Sequence, residues 1–194
     1  MRSKSKRRSP AATPKRSRWT SILIGVAVVL GIAALGYLLY LSLQEPEVIE
    51  GLSQFIGLES GHDETVDYSG GDLPPVGGIH SGVWQNCGVY DEPVLAKNAV
   101  HSMEHGAVWI AYDPELPQDS VDSLRQAVRG ESYTILSPYP GLKSPVVLTA
   151  WGIQLELESA EDERIPEFID RYEQGPQTPE RGALCSEGTG APIS

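Results

Sequence analysis

The chain has 194 residues with 15 basic and 26 acidic side chains, a net charge of −11 that is divided unevenly. Its first 44 residues hold eight basic side chains between Arg2 and Arg18 and no acidic one, while the rest hold seven basic and all 26 acidic, a net of −19. So anionic a body repels phosphate backbones, and neither G-x-x-x-x-G-K-[ST] nor G-x-G-x-x-G occurs, so no nucleic-acid or nucleotide partner is expected.

Residues 1–18, rich in Arg, Lys, Ser and Pro, read as a basic cytoplasmic tail drawn to anionic lipid. From Trp19 to Leu43 no charge occurs, and Ile22–Leu41 is almost wholly apolar, enough to span about 30 Å of hydrocarbon as a helix. Trp19, Tyr37 and Tyr40 sit where interfacial anchors belong. The basic flank before the span and Glu45, Glu47 and Glu50 after it predict a cytoplasmic N-terminus and an extracytoplasmic body. A cleaved signal peptide would export the body equally, but the apolar run is longer than an h-region and Leu41-Ser42-Leu43 makes a poor cleavage site.

Residues 44–72 read as a linker with a short helical piece around Val48–Ile56, and residues 73–185 as the exported domain, with 186–194 a loose tail. Pro74–Gly106 is dense in Gly, Pro, His and aromatic residues and reads as ordered loop. Ala107–Tyr112 reads as a strand closed by Asp113-Pro114. Val121, Leu124 and Val128 predict a helix between Asp119 and Gly130. Tyr133–Leu136 is a second strand, cut by Pro138, and Val146–Leu157 a long third one. Ile165, Phe168, Ile169 and Tyr172 fall at i, i+3, i+4 and i+7, a second helix stopped by Gly175-Pro176. The expected fold is therefore α+β: an N-terminal transmembrane helix, then a small exported sheet with two helices on one face.

Three of the four histidines, His80, His101 and His105, fall close together with Met103 and Glu104. A spacing of four puts His101 and His105 on one face of a helix or of a strand. A helical turn brings Glu104 beside them and an extended segment brings Met103. Imidazole with thioether or thiolate suits copper, whereas imidazole with carboxylate suits zinc or ferrous iron. His101-Ser-Met-Glu-His105 is not H-E-x-x-H, so the metalloprotease motif does not apply. His62, in an acidic stretch, reads as solvated, and Trp109 and Trp151 as core. Cys87 and Cys185, both on the exported side, are expected to pair, closing a loop that contributes on the order of 4–5 kcal/mol and braces the His80 loop.

The run Pro74-Pro-Val-Gly-Gly-Ile-His80, then Asn86-Cys-Gly-Val-Tyr-Asp-Glu-Pro93, Val100-His-Ser-Met-Glu-His-Gly106 and Leu148-Thr-Ala-Trp-Gly152 resembles a bacterial family of membrane-anchored proteins known only as a domain of unknown function. The likeness covers about residues 73–176 and implies an exported domain behind one N-terminal helix, without supplying an activity. Leucine is common among those relatives where this chain has Met103, which implies that a thioether is not the essential ligand. The expected metal set is then His80, His101 and His105 with Glu104, with copper favoured and no catalytic residue assigned. Two other readings stand beside it. One is a hydrolase using His101 or His105 with Ser102 or a metal-bound water; the other is a non-catalytic envelope or adaptor module with structural histidines. The membrane is the one expected partner.

Overall fold

The unbroken apolar run makes a single helix, α1 (Arg18–Ser42), in the computed structural model, which describes residues 18–42 and 48–193. Large apolar side chains project on every side of it, from Trp19 to Leu41. A helix without a polar face is suited to lipid, and α1 is long and apolar enough to cross a membrane. The basic tail, apart from Arg18, lies outside the described residues, as do residues 43–47 and Ser194.

Residues 49–194 form the second unit. Its six-stranded sheet runs in the order β1 (Ser53–Gln54), β8 (Ile153–Leu157), β7 (Val146–Ala150), β5 (Val108–Tyr112), β6 (Thr134–Pro138), β4 (Gly88–Val89). β5 pairs parallel with β6 and antiparallel with β7. The β5–β6 crossover passes through α3 (Gln118–Ala127), and α4 (Arg164–Tyr172) follows β8. The α+β class read from the periodicities is observed.

The two expected helices, α3 and α4, pack on one face of the sheet as read, and a helix not read from the sequence covers the other. Val108, Ile110, Leu136 and Leu148 face a core built with Leu124 of α3 and Phe168 of α4. Trp109, Ala111, Ile135 and Val147 face a second core with Val100 and Met103 of a further helix, α2 (Ala96–Glu104). Strands buried on both sides must be apolar throughout, which explains why β5 and the start of β7 show no alternation.

Four local expectations change. The long strand over 146–157 is a hairpin: the chain reverses at Trp151-Gly152, where Gly152 has φ +70° and a Cβ would stand 2.8 Å from the Phe55 carbonyl. The second strand runs to Pro138 and does not stop at Leu136, because β4 reaches only Ile135 and Leu136 and leaves no partner for a donor at Pro138. The stretch read as linker is folded onto the domain from Ile49 onward: Ile49 is buried, and Ser53–Gln54 pair with β8 in place of the expected helical piece. The tail after Cys185 is hydrogen-bonded along residues 84–90, through Thr189 N to Trp84 O (2.9 Å), Asn86 N to Thr189 O (2.8 Å) and Ile193 N to Val89 O (2.8 Å).

Candidate metal centre

The sequence offers α2 a helical stripe that the Gly- and Pro-rich surroundings obscure. Ala96, Ala99, Val100 and Met103 stand at i, i+3, i+4 and i+7, and all but Ala96 are fully buried in the second core. Packing that stripe on the sheet turns His101, Glu104 and the helix cap His105, again spaced i, i+3, i+4, to another side. Gly106, with φ +104°, ends the helix.

Against α2 lies a small two-stranded parallel sheet, β2 (Gly61–His62) and β3 (Ile79–His80). Its register sets His62 directly beside His80, and Asp63 N donates to His80 O at 2.7 Å. In-register neighbours on a sheet point to the same face, so two histidines distant in sequence arrive side by side. One ligand atom each from His62, His80, His101 and Glu104 then falls within 4.8 Å of all the others, a group that could hold a metal ion. Donors about 2 Å from a shared ion lie at most about 4 Å apart, so closing this group takes shifts below about 1 Å.

Backbone carbonyls set the tautomers. His80 Nδ1 donates to Gly78 O (2.8 Å) and His101 Nδ1 to Ser81 O (2.7 Å). A ring so held keeps Nε2 for a second partner, the arrangement that metal-binding histidines use. Burial and the neighbouring imidazoles His105, His80 and His62 push the His101 ring down to about 4 from its ordinary value near 6.5, so it is neutral at pH 7.

Glu104 supplies the negative charge. Its side chain is only 6% exposed, and among the described residues no N–H or O–H donates to its carboxylate. Its nearest cationic candidates are imidazoles, His80 Nε2 at 3.0 Å and His62 Nε2 at 4.0 Å. His80 Nε2 is itself fully buried with no hydrogen-bond partner. A carboxylate and a lone pair facing each other out of water are costly unless a cation lies between them. Trp151 closes one side, its ring 5.9 Å from that of His80.

Three of the four expected ligands therefore meet, and His62 joins them. It is 53% exposed, as a solvated residue is, but it lies in a strand and its ring stacks on His101 at 4.8 Å, so its exclusion from the cluster is corrected. No local pattern marks it; only the β2–β3 pairing brings it in. His105 stays outside the group. Its Nδ1 donates to Leu184 O (2.6 Å) and its Nε2 faces the Glu180 carboxylate at 3.7 Å, although its ring touches that of His101 at 4.5 Å. Met103 lies in the core, so the helical alternative, with Glu104 as neighbour, is the one realised. Ser102 donates to Gln85 O (2.7 Å), and no hydrogen bond joins it to a histidine among the described residues.

Cys87 and Cys185 form the expected disulfide, with Cα atoms 5.3 Å apart. It braces the segment after His80 against the C-terminal strap, and the strap supplies both the Leu184 carbonyl under His105 and the Ser186 carbonyl that Trp84 Nε1 donates to (3.0 Å). Trp84 packs against both His101 and His105, with ring distances of 5.6 and 5.1 Å. Trp109 is core, donating Nε1 to Ser137 Oγ (3.0 Å).

Residues 60–187 match the family described as protein of unknown function (DUF3105), and the chain belongs to it. The matched segment contains His62, His80, His101, Glu104 and both cysteines. No curated protein and no solved structure matches the chain.

Proposed function

We propose that this member of the DUF3105 family is a single-pass membrane protein whose domain stands outside the cytoplasm and binds one transition-metal ion, copper in preference, through His80, His101, Glu104 and His62. Its role is binding, handling or sensing of the ion. The observation that carries the reading is the buried Glu104 carboxylate, which faces imidazole nitrogens and accepts no hydrogen bond among the described residues, beside a His80 Nε2 that is itself buried without a hydrogen-bond partner. A proton on His80 would serve that pair alone and leave His62 and His101 without a task; a metal ion engages all four.

The donor set is imidazole and carboxylate with no sulfur, which suits a divalent ion of borderline hardness. Among such ions an N/O site binds Cu²⁺ most tightly, and Zn²⁺ is the main competitor. Copper(I), which prefers thioether and thiolate, is disfavoured here. The extracytoplasmic placement draws support from the basic flank before α1 and from the disulfide, a bond of oxidising compartments.

Calorimetric titration of the detergent-solubilised full chain with Cu²⁺ and Zn²⁺, beside a His80→Ala/His101→Ala variant, tests this. One saturable site in the native chain, tighter for Cu²⁺ and absent from the variant, is expected. Equal weak binding by both proteins overturns the reading.

A further inference from the structure

We infer that His62 is the exchangeable ligand of this site, the position at which an incoming imidazole nitrogen takes hold of the ion as it enters or leaves. The inference rests on the metal reading above. Of the four donors, His80, His101 and Glu104 are buried and His62 is the exposed one. Both inner rings are fixed by their Nδ1 bonds to Gly78 O and Ser81 O, whereas no hydrogen bond holds either ring nitrogen of His62 among the described residues. The backbone beneath His62 is anchored nonetheless: Asp63 N donates to His80 O, and the Glu64 carboxylate accepts from Gly82 N (2.7 Å) and Ser81 Oγ (3.0 Å).

A fixed backbone carrying an unfixed ring is a ligand that can swing away without opening the fold. Its ring contacts run inward, stacked on His101 at 4.8 Å and edge-on to His80 at 5.0 Å, so it covers the solvent side of the inner three donors. Ordering a half-exposed side chain that ring contacts alone orient also costs rotamer entropy, which lowers the net strength of that one bond. The exchange is a ligand substitution: one metal–nitrogen bond to His62 breaks as one to the incoming imidazole forms, with no change of oxidation state. The three inner donors would hold the ion while the incoming imidazole takes the place of His62; for the ion to leave, their bonds would break one at a time as further imidazoles of a histidine-bearing carrier bind, with the reverse order on loading, so no step needs the free ion.

The test uses the full chain in detergent micelles, as the native form and as His62→Ala and His80→Ala variants, with Cu²⁺ followed by calorimetry and by its visible absorption band. The native chain is expected to take one ion. His62→Ala is expected to keep that site with affinity lowered no more than about a hundredfold. Imidazole, added at concentrations that leave the native chain loaded, should return the variant's band to the native position. His80→Ala should show no saturable site. Loss of binding in His62→Ala with an unchanged melting profile overturns the inference and leaves the metal reading standing, and so does a His62→Ala band that imidazole fails to move. A native chain that takes no ion overturns the metal reading, and this inference with it.

Discussion

His80 Nε2 and Glu104 Oε2 stand 3.0 Å apart inside the domain, and the two do not form a hydrogen bond. Such a pair is a burden to the metal-free fold and an asset to the loaded one. Glu104→Gln therefore has opposite effects on the two states. The metal-free variant should unfold at a urea concentration equal to or above the native one, gaining about 1–2 kcal/mol as the buried charge goes. Its affinity for Cu²⁺ should fall at least about tenfold. A metal-free variant destabilised by several kcal/mol would mark Glu104 as half of a structural ion pair with a protonated His80.

Acid should weaken the metal-free domain through His101. Its folded ring protonates near pH 4, while the unfolded chain protonates near 6.5, so unfolding takes up a proton between those values. Stability from this source is level above about pH 6.5, falls by about 1.4 kcal/mol per pH unit toward 4, and is level again below. Urea melts of the metal-free chain at pH 7.5 and 5 should show the loss, and His101→Gln should show less of it. Equal slopes in both proteins would assign the acid response to other groups.

Met103→Leu separates sulfur chemistry from packing. The side chain is fully buried among Val100, Trp109 and Val147, where leucine fills nearly the same volume. The substitution should change stability by less than about 1.5 kcal/mol and leave Cu²⁺ affinity and the visible band unaltered. A shifted band would bring the thioether into the site.

Removing the disulfide with Cys87→Ser/Cys185→Ser should cost on the order of 4–5 kcal/mol, from the long loop it closes. Because the strap also holds Trp84 and His105, tryptophan fluorescence should change along with the urea midpoint. A midpoint unmoved by the double substitution would mean that the strap's backbone hydrogen bonds hold it without the covalent link.

Periodicity made much of the frame legible. The apolar run gave α1, and the stripes Val121/Leu124 and Ile165/Phe168/Ile169/Tyr172 gave α3 and α4, because a helix against one layer needs one apolar face. The hairpin at Trp151-Gly152 was hidden because β8, Ile153-Gln-Leu-Glu-Leu157, follows β7 with a single glycine as punctuation, and its alternation reads as the far end of the same strand. At the site, the i, i+3, i+4 spacing of His101, Glu104 and His105 was readable, but not which imidazole turns inward. The Leu184 carbonyl and the Glu180 side chain, both from the far end of the domain, draw His105 away. His62 could not be read at all, since only a long-range strand pairing places it.

That pairing makes the chemistry of the centre depend on alignment as well as on composition. β2 and β3 hold each other through only two residue pairs, Gly61 with Ile79 and His62 with His80. Sliding one against the other by a single step would seat Gly61 or Asp63 where His62 now stands, exchanging an imidazole nitrogen for no side-chain donor or for a carboxylate. On the metal reading proposed above, a small insertion or deletion inside these two short strands would thus retune which ions the centre accepts while every inner donor stayed in place.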